Sequence, residues 1–136
     1  MKNKPCLTMS EVRRMAEAAE AHALKQNWAV TIAVVDDGGH LLCLQRLDGA
    51  APISARIAPA KAGTAALGGK DSGAYEDMIN KGRVAYLSVP GMEGMLEGAV
   101  PVVVDGHCVG AVGVSGVKSS EDAETARAGV RALGPA

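Results

Sequence analysis

Two apolar, valine-rich runs joined by Asp105-Gly106 are the feature that most constrains how this chain can fold. An Asp-Gly pair between β-branched runs predicts a two-residue hairpin turn, because both residues tolerate the positive φ angle that the turn requires. We therefore expect a pair of antiparallel strands over residues 100–104 and 107–115.

The short turn also fixes the register of the two strands. It predicts Val104 opposite His107 and Val102 opposite Val109. Side chains on both faces of the hairpin are then apolar, whereas a sheet with one face in water alternates apolar and polar residues. We expect both faces to be covered, by helices, by another subunit or by a ligand.

Glycines recur at every third position of the second strand, as Gly110, Gly113 and Gly116. Glycine weakens a strand but lets a second backbone or a ligand approach closely. Two interpretations remain open. Either the glycines let a helix pack tightly on the sheet, or Gly110 and Gly113 line a cofactor-binding site.

The composition is that of an ordinary globular protein and predicts a single domain over residues 1–136. Of the 136 residues, 48% are hydrophobic and 21% are charged, and the formal net charge is −1. This balance gives no electrostatic reason to expect nucleic acid or an anionic membrane as a partner. The N-terminus lacks the apolar run of a secretion signal and no stretch is long enough to span a membrane, so we expect a cytoplasmic protein.

Helical and strand patterns alternate along the rest of the chain. A capping box at Thr8 and Glu11 opens a helix that is expected to run to about residue 26. A second hairpin is predicted over 29–36 and 40–47, followed by a helix over 52–67 and an edge strand over 83–89. A final helix begins near residue 119. This order predicts an α+β domain with helices packed on an antiparallel sheet of about five strands.

The helix over 52–67 contains Pro59, which removes a backbone hydrogen bond and is expected to kink or break it. Lys61 is placed on the flank of its apolar stripe. The residues predicted to form that stripe are Ile53, Ile57, Ala60, Thr64 and Leu67. In the final helix, Glu121 and Asp122 lie in the first turn, where they favour the helix dipole.

Three side chains could carry chemistry, and each has a plainer alternative. His22 borders the apolar stripe of the first helix and is either a haem or metal ligand or a packed, hydrogen-bonded histidine. Arg46 either clamps a carboxylate or pairs with Asp48. Lys61 either moves a proton as a partly desolvated amine or lies on the surface along its helix.

A set of motifs in this order resembles the GlcG/HbpS family, which is related to the C-terminal domain of PduO. The resemblance covers roughly residues 7–134. The motifs are VVDDGGHL at 34–41, RLDGA at 46–50, Ser54, IA at 57–58, KA at 61–62, TA at 64–65, GAVPV at 98–102, VGAVGVSG at 109–116 and Glu121-Asp122.

The resemblance implies a profilin-like α+β fold and assembly into dimers or larger homo-oligomers. It also implies haem binding or iron-dependent haem degradation, which are properties of several members of the family. Other members belong to operons for glycolate or diol metabolism.

Three functions are therefore considered. The first is a haem-binding or haem-handling protein, with His22 as the first choice of axial ligand and a methionine or cysteine as the alternative. The second is a small-molecule enzyme or binding protein for an organic acid, in which Arg46 holds the carboxylate and Lys61 or a nearby Asp or Glu moves a proton. The third is an accessory subunit of an oligomer.

Overall fold

An antiparallel sheet of four strands is covered by helices on both faces. The computed structural model describes residues 1–134. The strand order is β2-β1-β4-β3, so the two hairpins meet along β1 and β4, and the α+β class is confirmed. The helices and strands are α1 Met9–Lys25, β1 Thr31–Asp36, β2 Leu41–Arg46, α2 Ser54–Gly68, α3 Ser72–Asn80, β3 Ala99–Val104, β4 His107–Ser115 and α4 Ser119–Arg131.

The predicted fifth strand over 83–89 is wrong. That segment forms a short 3₁₀ helix, Val84–Ser88, outside the sheet. Its aromatic residue, Tyr86, packs edge-on against Tyr75 of α3, with ring centroids 5.6 Å apart. Tyr86 is the residue of this segment that packs on the neighbouring helix, whereas Val84 and Leu87 are 62% and 70% exposed.

The register of the β3–β4 hairpin is partly as predicted. Val104 lies opposite His107, but Val102 lies opposite Gly110 rather than Val109. A β-bulge between Val102 and Val103 shifts the pairing, because one extra residue of β4 is accommodated there.

The helices α1 and α4 cover one face of the sheet. The apolar stripe predicted for α1 is buried throughout: Val12, Met15, Ala16, Ala19 and Ala23. At the start of α1, the backbone N–H of Thr8 donates to the Glu11 carboxylate at 2.7 Å, as the capping box predicts.

The helix α2 covers the other face, and its buried side differs from the predicted stripe. Thr64 is buried, but Ile53 and Leu67 are 62% and 51% exposed. A Cβ atom added at Gly113 would lie 2.4 Å from the carbonyl oxygen of Ala58, so α2 packs too closely on β4 for large side chains. The buried residues of α2 are Ser54, Ala58, Lys61, Ala62, Thr64, Ala65 and Ala66.

The break expected at Pro59 does not occur, because α2 is continuous through this residue. A proline in a helix removes the hydrogen bond of its own nitrogen and crowds the carbonyl four residues earlier, which here belongs to Ala55 in the first turn of α2. The close packing of α2 on β4 stabilises the helix on both sides of that position. Within residues 1–134, no helix is both long enough and apolar enough to cross a membrane.

Candidate functional site

A groove of about 670 Å³ opens where the end of α1 meets the start of β1 and the end of β2. Its volume falls within the range of about 300–1,000 Å³ that is usual for small-molecule sites. Its lining residues are Glu20, Leu24, Asn27, Trp28, Ala29, Gln45, Arg46, Leu47 and Asp48.

The tight C-terminal cap of α1 places Trp28 in this groove. Asn27 adopts a left-handed conformation with φ of 60°. Its N–H donates to the carbonyl of Leu24 at 3.1 Å, and the N–H of Trp28 donates to the carbonyl of Ala23 at 2.8 Å. This pair of bonds is the Schellman motif, which folds the chain back over the last helical turn. The single tryptophan of the chain is thereby fixed as a wall of the groove.

His22 lies next to Trp28 but does not line the groove. Its ring meets the Trp28 ring edge-on, with centroids 5.8 Å apart. Its Nε2 atom lies 2.7 Å from a carboxylate oxygen of Glu124, which links α1 to α4. The side chain is 22% exposed.

The three histidines do not converge. His40 and His107 follow the two hairpin turns, which lie together at the end of the sheet where Asp36 pairs with Gly110. His22 lies at the opposite end, near the start of β1. Within the described part of the chain, no group of three or more His, Cys, Asp or Glu side chains is arranged to hold a metal ion.

Arg46 is exposed and lines the groove. Its Nε donates to the carbonyl of Ala50 at 3.2 Å. The alternative ion pair with Asp48 is not formed, and no carboxylate of residues 1–134 lies within ion-pair distance of Arg46. The terminal N–H groups of Arg46 therefore remain available to a ligand that carries a carboxylate.

Gln45 adds an acceptor that sequence reasoning missed. Its side-chain oxygen is buried and has no hydrogen-bond partner within residues 1–134. Buried polar atoms are nearly always paired, so an unpaired acceptor on a residue of the groove wall is exceptional. Trp28 was also missed, although an Asn-aromatic pair directly after a predicted helix is the sequence signal of a Schellman cap.

Lys61 lies in a buried ion pair. Its Nζ atom donates to a carboxylate oxygen of Asp122 at 3.0 Å and to the carbonyl of Val114 at 3.1 Å. Both side chains are almost completely buried, with 5% and 3% of their surface exposed. The other carboxylate oxygen of Asp122 accepts from the N–H of Val117 at 3.1 Å. Burial raises the pKa of Asp122, and the charge of Lys61 opposes that rise.

The structure does not bring the predicted site residues together. Arg46 is exposed on the edge strand β2, whereas Lys61 is buried between α2, β4 and α4. Gly113 lies against the backbone of α2, as the helix-packing interpretation requires. A Cβ atom added at Gly110 would lie 2.3 Å from the carbonyl oxygen of Val35 and 2.7 Å from the Leu7 side chain. Neither glycine lines the groove.

A second cavity of about 260 Å³ lies between α3, β3 and α4. Four carboxylates and one arginine line it, and that arginine, Arg127, pairs with Asp71 at 3.3 Å. The remaining carboxylates are those of Glu76, Asp77 and Glu97. This cavity is therefore smaller than the groove and unfavourable to anionic ligands.

Comparison with known proteins places this fold and its motifs in one family. Residues 7–131 match the family model described as "Haem degrading protein HbpS-like". The chain is 51% identical to protein GlcG of Escherichia coli over 115 residues, which is 85% of each chain.

Solved structures agree with the sequence match. A double mutant of Streptomyces reticuli HbpS superposes with a TM-score of 0.91 at 32% identity, covering 99% of this chain and 92% of the other. A PduOC complex with haem superposes with a TM-score of 0.86 at 23% identity, covering 96% of each chain, and shows that the fold is shared. The chain belongs to the HbpS-like family.

Proposed function

We propose that this protein binds haem in the groove beside Trp28. The observation that carries the proposal is one cavity that joins the only tryptophan of the chain to an arginine without a carboxylate partner. The family description, which names haem as the compound handled, supports this class of ligand.

The groove fits the organic part of haem. Trp28, Leu24 and Leu47 offer an aromatic and aliphatic surface to a flat apolar ring. Arg46 can donate paired hydrogen bonds to a propionate, because its guanidinium group matches the geometry of a carboxylate. The second cavity does not fit, since its volume is about 260 Å³ and its walls carry four carboxylates.

The groove does not by itself supply an iron ligand. His22, the axial ligand predicted from the sequence, lies behind the groove wall against Trp28 and is not one of the lining residues. When bound, haem would supply an iron centre with redox and oxygen chemistry. The protein's own contribution is to bind the ring, orient its carboxylates and shield one face from water.

Titration of the purified protein with hemin tests the proposal. We expect a saturable shift of the Soret band and a parallel quenching of tryptophan fluorescence, because the only fluorescent indole lines the groove. A Trp28→Phe variant keeps an aromatic wall and should still give the Soret shift. Leu87→Ala, a change of a residue that is 70% exposed and outside the groove lining, is the control. A hemin spectrum that the protein leaves unchanged would remove the proposal.

The protein is also proposed to form a homo-oligomer through the exposed side of α2 and the free edge of β2. Leu41 and Leu44 of β2 are 52% and 38% exposed, and more than half of the surface is exposed for Leu67 of α2 and for Ile53, which directly precedes α2. An unpaired edge strand with apolar side chains favours contact with a second copy. Light scattering coupled to size exclusion should report a multimer, and an Ile53→Glu, Leu67→Glu variant should shift it toward the monomer. A wild-type monomer at micromolar concentration would contradict this assembly.

A further inference from the structure

We propose that the groove recognises the porphyrin ring and its carboxylates rather than the metal, so that it binds metal-free dicarboxylate porphyrins about as tightly as haem. This inference rests on the proposed function and specifies its ligand class. It concerns the residues of this groove and what they can and cannot bind.

The lining of the groove lacks the side chains that hold haem iron. Proteins use histidine, cysteine, methionine or tyrosine as axial ligands. The lining residues consist of two carboxylates, two amides, one arginine, one tryptophan and three aliphatic residues. None of them is an imidazole, a thiol, a thioether or a phenol.

The one histidine that touches the groove wall is already engaged. His22 packs edge-on against Trp28 and lies 2.7 Å from the Glu124 carboxylate through Nε2. These two contacts fix its ring between α1 and α4. His22 is therefore a positioning residue for the indole of Trp28 in the bound state.

The groups that do face the groove recognise parts of the ligand other than the metal. The indole face can stack on any porphyrin, with or without iron. Arg46 can bind a propionate through the paired N–H donors of its guanidinium group. Glu20 and Asp48 repel carboxylates, so Arg46 is the lining side chain expected to hold a propionate.

Three probes separate these contributions: hemin, protoporphyrin IX and the dimethyl ester of protoporphyrin IX. With quenching of Trp28 fluorescence as the readout, we expect hemin and protoporphyrin IX to bind within about threefold of each other. The ester should bind about tenfold more weakly, because it cannot form the charged hydrogen bonds with Arg46. In Arg46→Gln, both acids should weaken about tenfold while the ester is unchanged.

Two variants complete the test. Asp48→Asn should strengthen the binding of both acids, because it removes a repelling charge. His22→Gln should change the affinities for hemin and protoporphyrin IX by the same factor. If hemin binds and protoporphyrin IX binds a hundredfold more weakly, or if His22→Gln weakens hemin alone, the inference is overturned and haem binding stands. If neither compound binds, the proposed function itself fails.

Discussion

The two faces of the sheet are both apolar but are built from side chains of different size. The face under α1 and α4 is filled by larger aliphatic residues, among them Met15, Ile32 and Val112. The face under α2 is filled almost entirely by alanine, with Val35 as the larger exception. Small residues let α2 pack closely on the sheet. At Gly113 the absence of a side chain allows the strand to contact the α2 backbone directly.

The buried polar groups lie on the close-packed side or at its margin. Thr31 and Ser54 share a hydrogen bond of 2.7 Å between β1 and α2, and Lys61 reaches from α2 to Asp122 of α4. Closely packed backbones leave no room for water, so these buried groups pair with one another, whereas the buried hydroxyl of Thr64 on α2 has no hydrogen-bond partner within residues 1–134. The stability of the α1–α4 face therefore depends on how completely large side chains fill it. The stability of the α2 face depends on close contact between backbones and on hydrogen bonds between buried polar groups.

The largest effect is expected from breaking the pair on the α2 side. Lys61→Met should lower the free energy of unfolding by about 3–5 kcal/mol, because it leaves the Asp122 charge buried without its partner. Adding Asp122→Leu should restore most of that loss, since the double variant buries no charge. Urea denaturation of the three proteins measures both effects. A single variant as stable as the wild type would show that the pair is solvated.

On the α1–α4 face, truncation should be the damaging change. Met15→Ala is expected to lower the free energy of unfolding by about 3 kcal/mol, because Met15 is completely buried and its removal leaves a cavity. Leu87→Ala, which truncates a residue that is 70% exposed, should cost less than about 0.5 kcal/mol. Equal losses in the two variants would contradict the burial of Met15 in the core.

On the α2 face, enlargement should be the damaging change. Gly113→Ala is expected to cost about 2 kcal/mol, because the new Cβ would press on the α2 backbone at Ala58. Gly63→Ala is the matched control, since a Cβ there meets nothing within 4 Å and should stabilise the helix by about 0.5–1 kcal/mol. Thermal denaturation of both variants gives the sign of each change.

A smaller, pH-dependent effect should come from Asp122. Because its pKa in the native state is raised above the usual value of 3.8, the folded protein binds this proton more tightly than the unfolded chain. The stability that Asp122 contributes is therefore present below pH 3.8 and is lost as the pH rises through its native pKa. The stability difference between the wild type and Asp122→Asn should fall across that window in urea titrations. A difference that rises with pH would reverse this assignment.

The exposed Glu11 should behave in the opposite way. Its hydrogen bonds at the start of α1 lower its pKa, so its contribution is present above pH 4.5 and is lost as the pH falls. The stability difference between the wild type and Glu11→Gln should therefore shrink on acidification. The same urea titrations measure this change, and a difference that grows at low pH would contradict it.

Much of the fold could be predicted from local sequence. The Asp105-Gly106 turn, the capping box at Thr8 and the apolar stripe of α1 each depend on neighbours in the chain, and each is confirmed. The buried side of α2 could not be predicted in the same way. It is set by a glycine of β4 far away in sequence, which selects small side chains over large ones.

Less of the candidate site could be predicted from the sequence, because it too depends on contacts between residues that are far apart in the chain. Arg46 was singled out, and the structure places it in the groove without a carboxylate partner. Asp122 was expected only to favour the helix dipole, because nothing in its neighbourhood reveals that Lys61 lies beside it. The predicted roles of His22, Gly110 and Gly113 in binding a cofactor stay predictions.

The strand order of the sheet affects how the chain folds. Each hairpin is closed by a tight turn and can form from neighbouring residues within microseconds. The seam between β1 and β4, however, joins the first third of the chain to the last, as does the contact between α1 and α4. Closing so long an intervening loop is entropically costly. The rate of folding should therefore be limited by the docking of the two hairpins against each other.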